Sequence, residues 1–217
     1  MSADSGLKTF RDSDGLWEGH DISQVATPQA WEADKELVLE FYNQRRRQAH
    51  QVEPNAGHKA LADLDEHFEV TIITQNVDDL HERAGSSNVV HLHGELAKVR
   101  SEKDRSLVYH IGGDTIEIGD TAEDGAQLRP HVVWFGEPVP QMEKAAEIVP
   151  RADILIVVGT SLVVYPAAGL TDLAPAGIPR YIVDPAKPEL IDYTEWTHIR
   201  QPAAKGMPEL AAELVSA

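Results

Sequence analysis

Cysteine is absent from this 217-residue chain. That removes a disulfide frame, a thiolate nucleophile and any zinc site built on thiolates. Basic residues are scarce too: 19 Lys and Arg stand against 36 Asp and Glu, a formal net charge of −17. A surface of that sign excludes non-specific nucleic-acid binding, which needs cations to displace counterions. It favours cationic partners such as lysine-rich protein segments. No apolar run is long enough to span a bilayer. Met1-Ser2-Ala3-Asp4-Ser5-Gly6 has neither the charged start nor the apolar stretch of a secretory leader. No membrane or nucleic-acid partner is expected, a cytoplasmic location is, and the oligomeric state stays open.

Hydrophobic residues make up 42% of the chain, enough to bury the core of one large domain or of a domain with a small module. Thr27-Pro28 pairs a cap residue with proline at the first helical position. The helix it starts is expected to reach about His50, with a break near Asp34. Glu53-Pro54-Asn55 punctuates, and a second helix should follow to about His67. A strand over 69–74, a short helix over 77–84 and a strand over 89–92 come next. Between 98 and 130, short β-like runs (Ser106 to Ile111, Thr115 to Ile118) alternate with Gly-Asp turns and read as an inserted β module. The apolar run from Asp153 to Val158 suits a parallel strand buried on both faces. A helix from Pro166, a strand over Arg180 to Val183 and a last helix over about 207–216 complete the pattern. Strands alternating with helices place the chain in the α/β class, with a Rossmann-like, mostly parallel sheet. Residues 1–27, 54–97 and 131–217 are assigned to that sheet domain, and 28–53 with 98–130 to the small module.

Chemistry gathers where strands end. An open α/β sheet places its ligand at the carboxyl ends of its strands, and the strand ending at Thr74 runs into Gln75, Asn76 and Asp78. Amide side chains donate and accept at once, which suits a ribose or a carboxamide; Asn76 would equally serve as a helix cap. His91 and His93 follow, and histidine titrates where a general base must. In an extended segment the two share a face, so spacing does not choose between them. Gly159-Thr160-Ser161 ends the apolar strand, where small residues let backbone amides approach a nucleotide. Asp184 ends the next strand, where an acid can hold a ribose hydroxyl. Tyr42 and Arg45, at i and i+3 of one helix, face the same way. A phenol beside a guanidinium binds a carboxylate; the bland alternative is a solvated basic face, since Arg45-Arg46-Arg47 are consecutive.

Several motifs in one order resemble the sirtuins, NAD-dependent protein deacylases: Gln75-Asn76-x-Asp78, His93-Gly94, Phe135-Gly136-Glu137 and Gly159-Thr160-Ser161. Ser2 to Arg11 looks like the tail of that family's cofactor motif, and Pro54 to Leu61 also fits. Arg129 to Glu137 is similar to the branch that holds bacterial sirtuins and the mitochondrial desuccinylase. The resemblance implies NAD as co-substrate and an acylated protein lysine as partner, with nicotinamide and O-acyl-ADP-ribose released. It implies His93 as the base, favoured over His91 by the adjacent Gly94, with Asn76 in the catalytic environment. Ser2, Ala3, Phe10, Arg11, Gln75, Asn76, Asp78, Gly159, Thr160, Ser161 and Asp184 are implied to bind the cofactor. Tyr42 and Arg45 are implied to read a succinyl or malonyl carboxylate. Val133 to Glu137 should offer a strand edge to the substrate peptide, with Trp134 and Phe135 beside the acyl-lysine.

Two departures from the family pattern carry expectations. The family's four zinc cysteines have no counterpart, so no structural metal is expected. Its Gly-Ala-Gly turn and preceding strand would stand before Ser2, where this chain has Met1, so a gap or an exposed edge in the sheet is expected. A mono-ADP-ribosyltransferase and a non-catalytic nucleotide-binding protein are the alternative readings.

Overall fold

The computed structural model describes residues 1–7, 20–160, 162, 165–187 and 194–216. Its helices begin where cap chemistry allows. Asp21 caps α1 (Ile22–Val25) and Thr27 caps α2 (Pro28–Ala33), which has proline in its first turn. Asp34 ends α2 and its carboxylate caps α3 (Lys35–Gln51), so the expected break falls on that residue. Asn55 caps α4 (Ala56–Asp63), accepting from the amides of Gly57 and His58, and residues 64–66 add a 3-10 turn. The same side chain donates to the Met1 carbonyl at 3.1 Å and to Ser5 Oγ at 3.0 Å, pinning the first residues onto the fold.

Strand β1 (Ile72–Thr74) leads to α5 (Leu80–Ala84) and pairs in parallel with β2 (Val89–His91). An antiparallel sheet of β4 (Val108–His110), β3 (Gly94–Ser101) and β5 (Leu128–Val132) forms the inserted module. The run from Thr115 to Ile118 is not a strand. Asn43 takes the place of a partner strand there: its Oδ1 accepts from the Ile116 amide at 3.1 Å and its Nδ2 donates to the Ile116 carbonyl at 2.8 Å. Beyond α6 (Met142–Ile148), β6 (Leu155–Val158), β7 (Arg180–Val183) and β8 (Thr197–Ile199) form a parallel sheet. Residues 167–173 are 3-10 helical, and α7 (Ala203–Ser216) starts four residues before the expected 207.

One apolar cluster joins α1, α2 and α3 to β3 and β5 through Val25, Trp31, Phe41, Tyr42, Val99 and Trp134. The helical and β parts of the small module therefore share a core. Two further clusters sandwich the parallel strands. On one side Ile72 of β1 and Ile156 and Val158 of β6 meet Leu61 of α4 and Met207 and Leu210 of α7. On the other side Ile73 of β1 and Leu155 of β6 meet Ala145 of α6 and Leu170.

Strands β1 and β6 thus present alternate residues to the same two helical layers, yet they belong to separate sheets. The residues 69–74 and 153–158 of these two strands line one cavity along their whole length. A slot between β1 and β6 runs through the middle of the sandwich; of the gap or exposed edge expected from the sequence, the structure shows a gap. Strands 69–74 and 153–158 shorten to 72–74 and 155–158, the stretches that pair with β2 and β7. The amine of Met1 sits at the carboxyl end of β6, where a side chain on Gly159 (φ 61°) would collide with it. Six alternating Val and Thr residues fused ahead of Met1 should therefore enter the slot and raise Tm by about 2–8 °C, the effect of ~1–2 kcal/mol in a chain of this size. A Gly-Ser extension of equal length is the control, and equal Tm values for the two would show that the slot does not accept a strand.

Candidate active site

The cavity, about 1220 Å³, continues from the slot over the carboxyl ends of β1 and β6 to the module. Ser2, Ala3, Tyr42, Arg45, Gln75, Asn76, Asp78, His93, Val133, Trp134, Phe135, Gly136, Glu137, Gly159 and Thr160 all line it. Phe10, Arg11 and Ser161 lie outside the described residues. Asp184 does not line the cavity: its carboxylate accepts from the Ala186 amide at 2.8 Å and holds the turn after β7.

Three polar residues converge on one wall. Asn76 Nδ2 donates to Ser2 Oγ at 2.8 Å, and the Ser2 hydroxyl in turn bonds Asp78. Asp78 is 7% exposed, and burial raises its carboxyl above the usual range against the pull of the Ser2 and Leu80 hydrogen bonds. Gln75 Nε2 reaches Thr160 Oγ1 at 3.4 Å, bridging the mouth of the slot from β1 to β6. Two amides, a hydroxyl and a buried carboxyl match the hydroxyls of a ribose and a carboxamide, so these residues fit an NAD molecule.

The two histidines separate. The extended segment ends at His91; residues 92 and 93 form a turn, so His91 and His93 do not share a face. His91 is 8% exposed, and both ring nitrogens are occupied: Nδ1 is 3.1 Å from the Asn76 carbonyl and Nε2 is 2.7 Å from Glu82 Oε1. His93 lines the cavity, and its Nδ1 is 3.1 Å from the Gln75 carbonyl. That contact places the proton on Nδ1 and leaves the lone pair on Nε2. Burial pushes its pKa below the ordinary 6.5, more than the Gln75 contact raises it, so the ring is neutral and ready to accept a proton at neutral pH. Gly94 follows at φ 80°, where a Cβ would strike the His131 carbonyl, so the His-Gly pair is a requirement of the turn.

Tyr42 and Arg45 sit on the module wall, 1% and 9% exposed. The Trp134 indole donates to Tyr42 Oη at 3.0 Å, and burial raises the phenol's pKa far enough to keep it neutral. Three successive arginines of α3 go three ways. Arg45 enters the cavity. Arg46 is 1% exposed and donates to the Leu96 carbonyl at 2.6 Å and to Asn43 Oδ1 at 2.8 Å. Arg47 pairs with Glu40 at the surface. The solvated basic face is therefore wrong for the first two.

Val133 to Glu137 is not a strand edge. Strand β5 ends at Val132, and residues 134–137 turn, with Gly136 at φ 88° and the Glu137 amide bonding the Trp134 carbonyl at 3.0 Å. The amides of Val133 and Phe135 donate to the carbonyls of His93 and Ala26, and the Trp134 amide donates to Glu137 Oε2. These three amide donors are satisfied inside the chain. Trp134 is core and Phe135 is half exposed at the cavity rim. Glu137 anchors the turn to its neighbours. Its carboxylate takes two bonds from Arg129, each 3.0 Å, and lies 3.3 Å from Arg100 and Arg105. The Arg129 guanidinium also stacks 3.3 Å over the Trp134 ring. No local pattern signals this role, because the arginines come from β3, β5 and a loop.

Among the described residues, Glu82, His91 and Glu95 bring three metal-capable atoms within 4.8 Å of one another. Glu82 is paired with His91 and Glu95 with Lys98, and we assign no ion to them.

Comparison with known proteins agrees with this geometry. The model of the Sir2 family matches residues 1–166. A Helicobacter pylori protein named NAD-dependent protein deacylase is 59% identical over 185 residues, covering 85% of this chain and 80% of that protein. A Bacteroides thetaiotaomicron protein of the same name is 50% identical, covering 100% of this chain and 95% of its own length. A solved complex of a Sir2 homologue with NAD superposes with a TM-score of 0.88 at 38% identity, over 99% of this chain and 86% of that one.

Breaking the Glu137 cluster should be costly, because it leaves buried cations unpaired. Glu137→Gln is expected to lower unfolding free energy by about 3–5 kcal/mol. Denaturant titration checks this; a loss below about 1 kcal/mol would demote the cluster to an ordinary surface pair.

Proposed function

Because this chain belongs to the Sir2 family, we propose that it removes acyl groups from protein lysines at the expense of NAD, with succinyl and malonyl groups among its substrates. The observation that carries this reading is the position of His93. Its ring faces a cavity whose one wall is Ser2, Asn76 and Asp78 and whose other is Tyr42, Arg45 and Trp134. A dinucleotide and an acylated side chain would meet between those walls.

NAD, when bound, supplies a sugar carbon that loses nicotinamide and takes the acyl oxygen. The chain's residues do the rest. Asn76 and Asp78 orient the ribose and the carboxamide, and Gln75 adds a sugar contact. His93 Nε2 takes the proton of a ribose hydroxyl, which makes that oxygen a nucleophile. The apolar surfaces of Trp134 and Phe135 keep water from the reacting atoms, where fixed dipoles act more strongly. Arg45 beside a neutral phenol suits a free carboxylate at the end of the acyl group. The net charge of −17 draws lysine-rich segments towards the molecule.

Calorimetric titration with NAD and turnover of succinyl- and acetyl-lysine peptides test the reading together. NAD binding without turnover would point to a nucleotide-binding protein, and transfer of ADP-ribose to an unmodified acceptor to a transferase. Arg45→Met should reduce desuccinylation by about 10- to 100-fold more than deacetylation, as expected for hydrogen bonds to a charged group. Equal losses would remove carboxylate recognition. The acid limb of the deacylation rate should lie below pH 6.5, because the base must be neutral and its pKa is lowered. A limb at or above 6.5 would move the base away from His93.

A further inference from the structure

His91 stands beside the proposed base without entering the cavity, and the geometry fixes its charge. Its Nδ1 faces a backbone carbonyl, that of Asn76, at 3.1 Å. Its Nε2 faces a carboxylate oxygen of Glu82 at 2.7 Å. Both partners are acceptors. A neutral imidazole has one N–H and one lone pair, so it satisfies one contact and repels at the other. Only the imidazolium donates to both.

The carbonyl it holds belongs to Asn76, and the carbonyl of the preceding residue is held by His93. The segment Gln75–Asn76 is thus gripped at two successive carbonyls. We propose that the Glu82–His91 pair is a cationic clamp that positions Asn76 and, through the shared segment, the ring of His93 for the deacylation described above. His91 is a positioning residue; it touches neither substrate nor cofactor.

The surroundings are consistent. Burial alone would lower the His91 pKa, but the hydrogen bond and charge of Glu82, with the Asn76 carbonyl and Glu95, raise it above 6.5. The groups that face it are Glu82 and His81 on α5, Asp78 in the loop after β1 and Glu95 on β3, with His58 of α4 behind His81. His58 and His81 lie with their rings 4.8 Å apart and are pushed by burial to about 3 and about 4. They stay neutral, so His91 is the cation among the three.

The inference rests on the deacylase reading only for its last readout. Nitrogen-15 spectra of histidine-labelled protein report the ring directly. At pH 7 both His91 nitrogens should be protonated, and the titration midpoint should exceed 6.5 and fall in Glu82→Gln. Hydrogen exchange at the amides of Asn76 and Val77, in the absence of NAD, should speed up as the ring deprotonates, and at pH 7 in Glu82→Gln. The alkaline limb of kcat should follow the same midpoint and move down in the variant. At a fixed pH above the variant's midpoint, kcat should fall by about 3- to 10-fold, the size of one lost hydrogen bond, with KM for NAD little changed. A neutral His91 ring at pH 7 overturns the proposal. So does unchanged exchange, or an unmoved alkaline limb, once the ring's midpoint has moved. Absence of any deacylation would defeat the proposed function, while ring state and exchange would still decide whether the clamp exists.

Discussion

The site depends on the parallel register of β1 against β2. Thr74 stands opposite His91, and the Leu92 amide closes on the Thr74 carbonyl at 2.9 Å. From that one ladder step the two chains leave their strands together, one into Gln75 and Asn76, the other into His93 and Gly94. A shift by one residue would exchange the faces of every side chain in the strand that slips. His91 would leave Glu82, and His93 would lose the Gln75 carbonyl that sets its tautomer. The register is secured from behind: Ile72 and Ile73 insert into opposite helical layers, so slipping would force both layers to repack.

The inserted module solves a different problem. With no thiolates to bind a metal, its strands are cross-linked by buried polar groups. Arg46 ties α3 to the Leu96 carbonyl of β3, and Asn43 ties it to Ile116. Ser101 Oγ accepts from the amides of Lys103 and Asp104 and donates to Asp124 at 2.7 Å, closing the two loops against each other. Glu137 gathers Arg100 and Arg129 beneath Trp134. Each link fixes a direction as well as a distance, as a metal would. Trp134 therefore arrives at the cavity wall with its indole aimed at Tyr42, and Phe135 arrives at the rim.

How much of this the sequence disclosed depended on how local each cause was. The break at Asp34 was legible because one residue ends α2 with its backbone and caps α3 with its carboxylate. The strand ending in Gly159 was legible because burial on both faces needs an unbroken apolar run. Of the site residues that the resemblance implied, every described one except Asp184 lines the cavity. Distant causes stayed hidden. Thr115 to Ile118 has strand-like residues, but its partner is a side chain 73 positions away. Strand β8, Thr-His-Ile, is a three-residue edge with no apolar run to announce it. The role of Glu137 needs arginines from three segments. The equivalence of His91 and His93 rested on an extended backbone that the turn at 92–93 interrupts.

The slot gives the site its remaining constraint. Catalysis by preorganised dipoles requires that water be kept from the reacting atoms. Here the cavity that His93 faces is continuous with the space between β1 and β6. Among the described residues two contacts span its mouth: the Gln75–Thr160 hydrogen bond is 3.4 Å long, and Met1 rests against Gly159. Both are attached to Asn76, one as its chain neighbour and the other through the Ser2 hydroxyl that receives the Asn76 amide. Filling the slot would therefore press on the same segment that His91 and His93 grip from the opposite side. The split sheet and the proposed catalytic residues thus meet at one short stretch of backbone, Thr74 to Asn76.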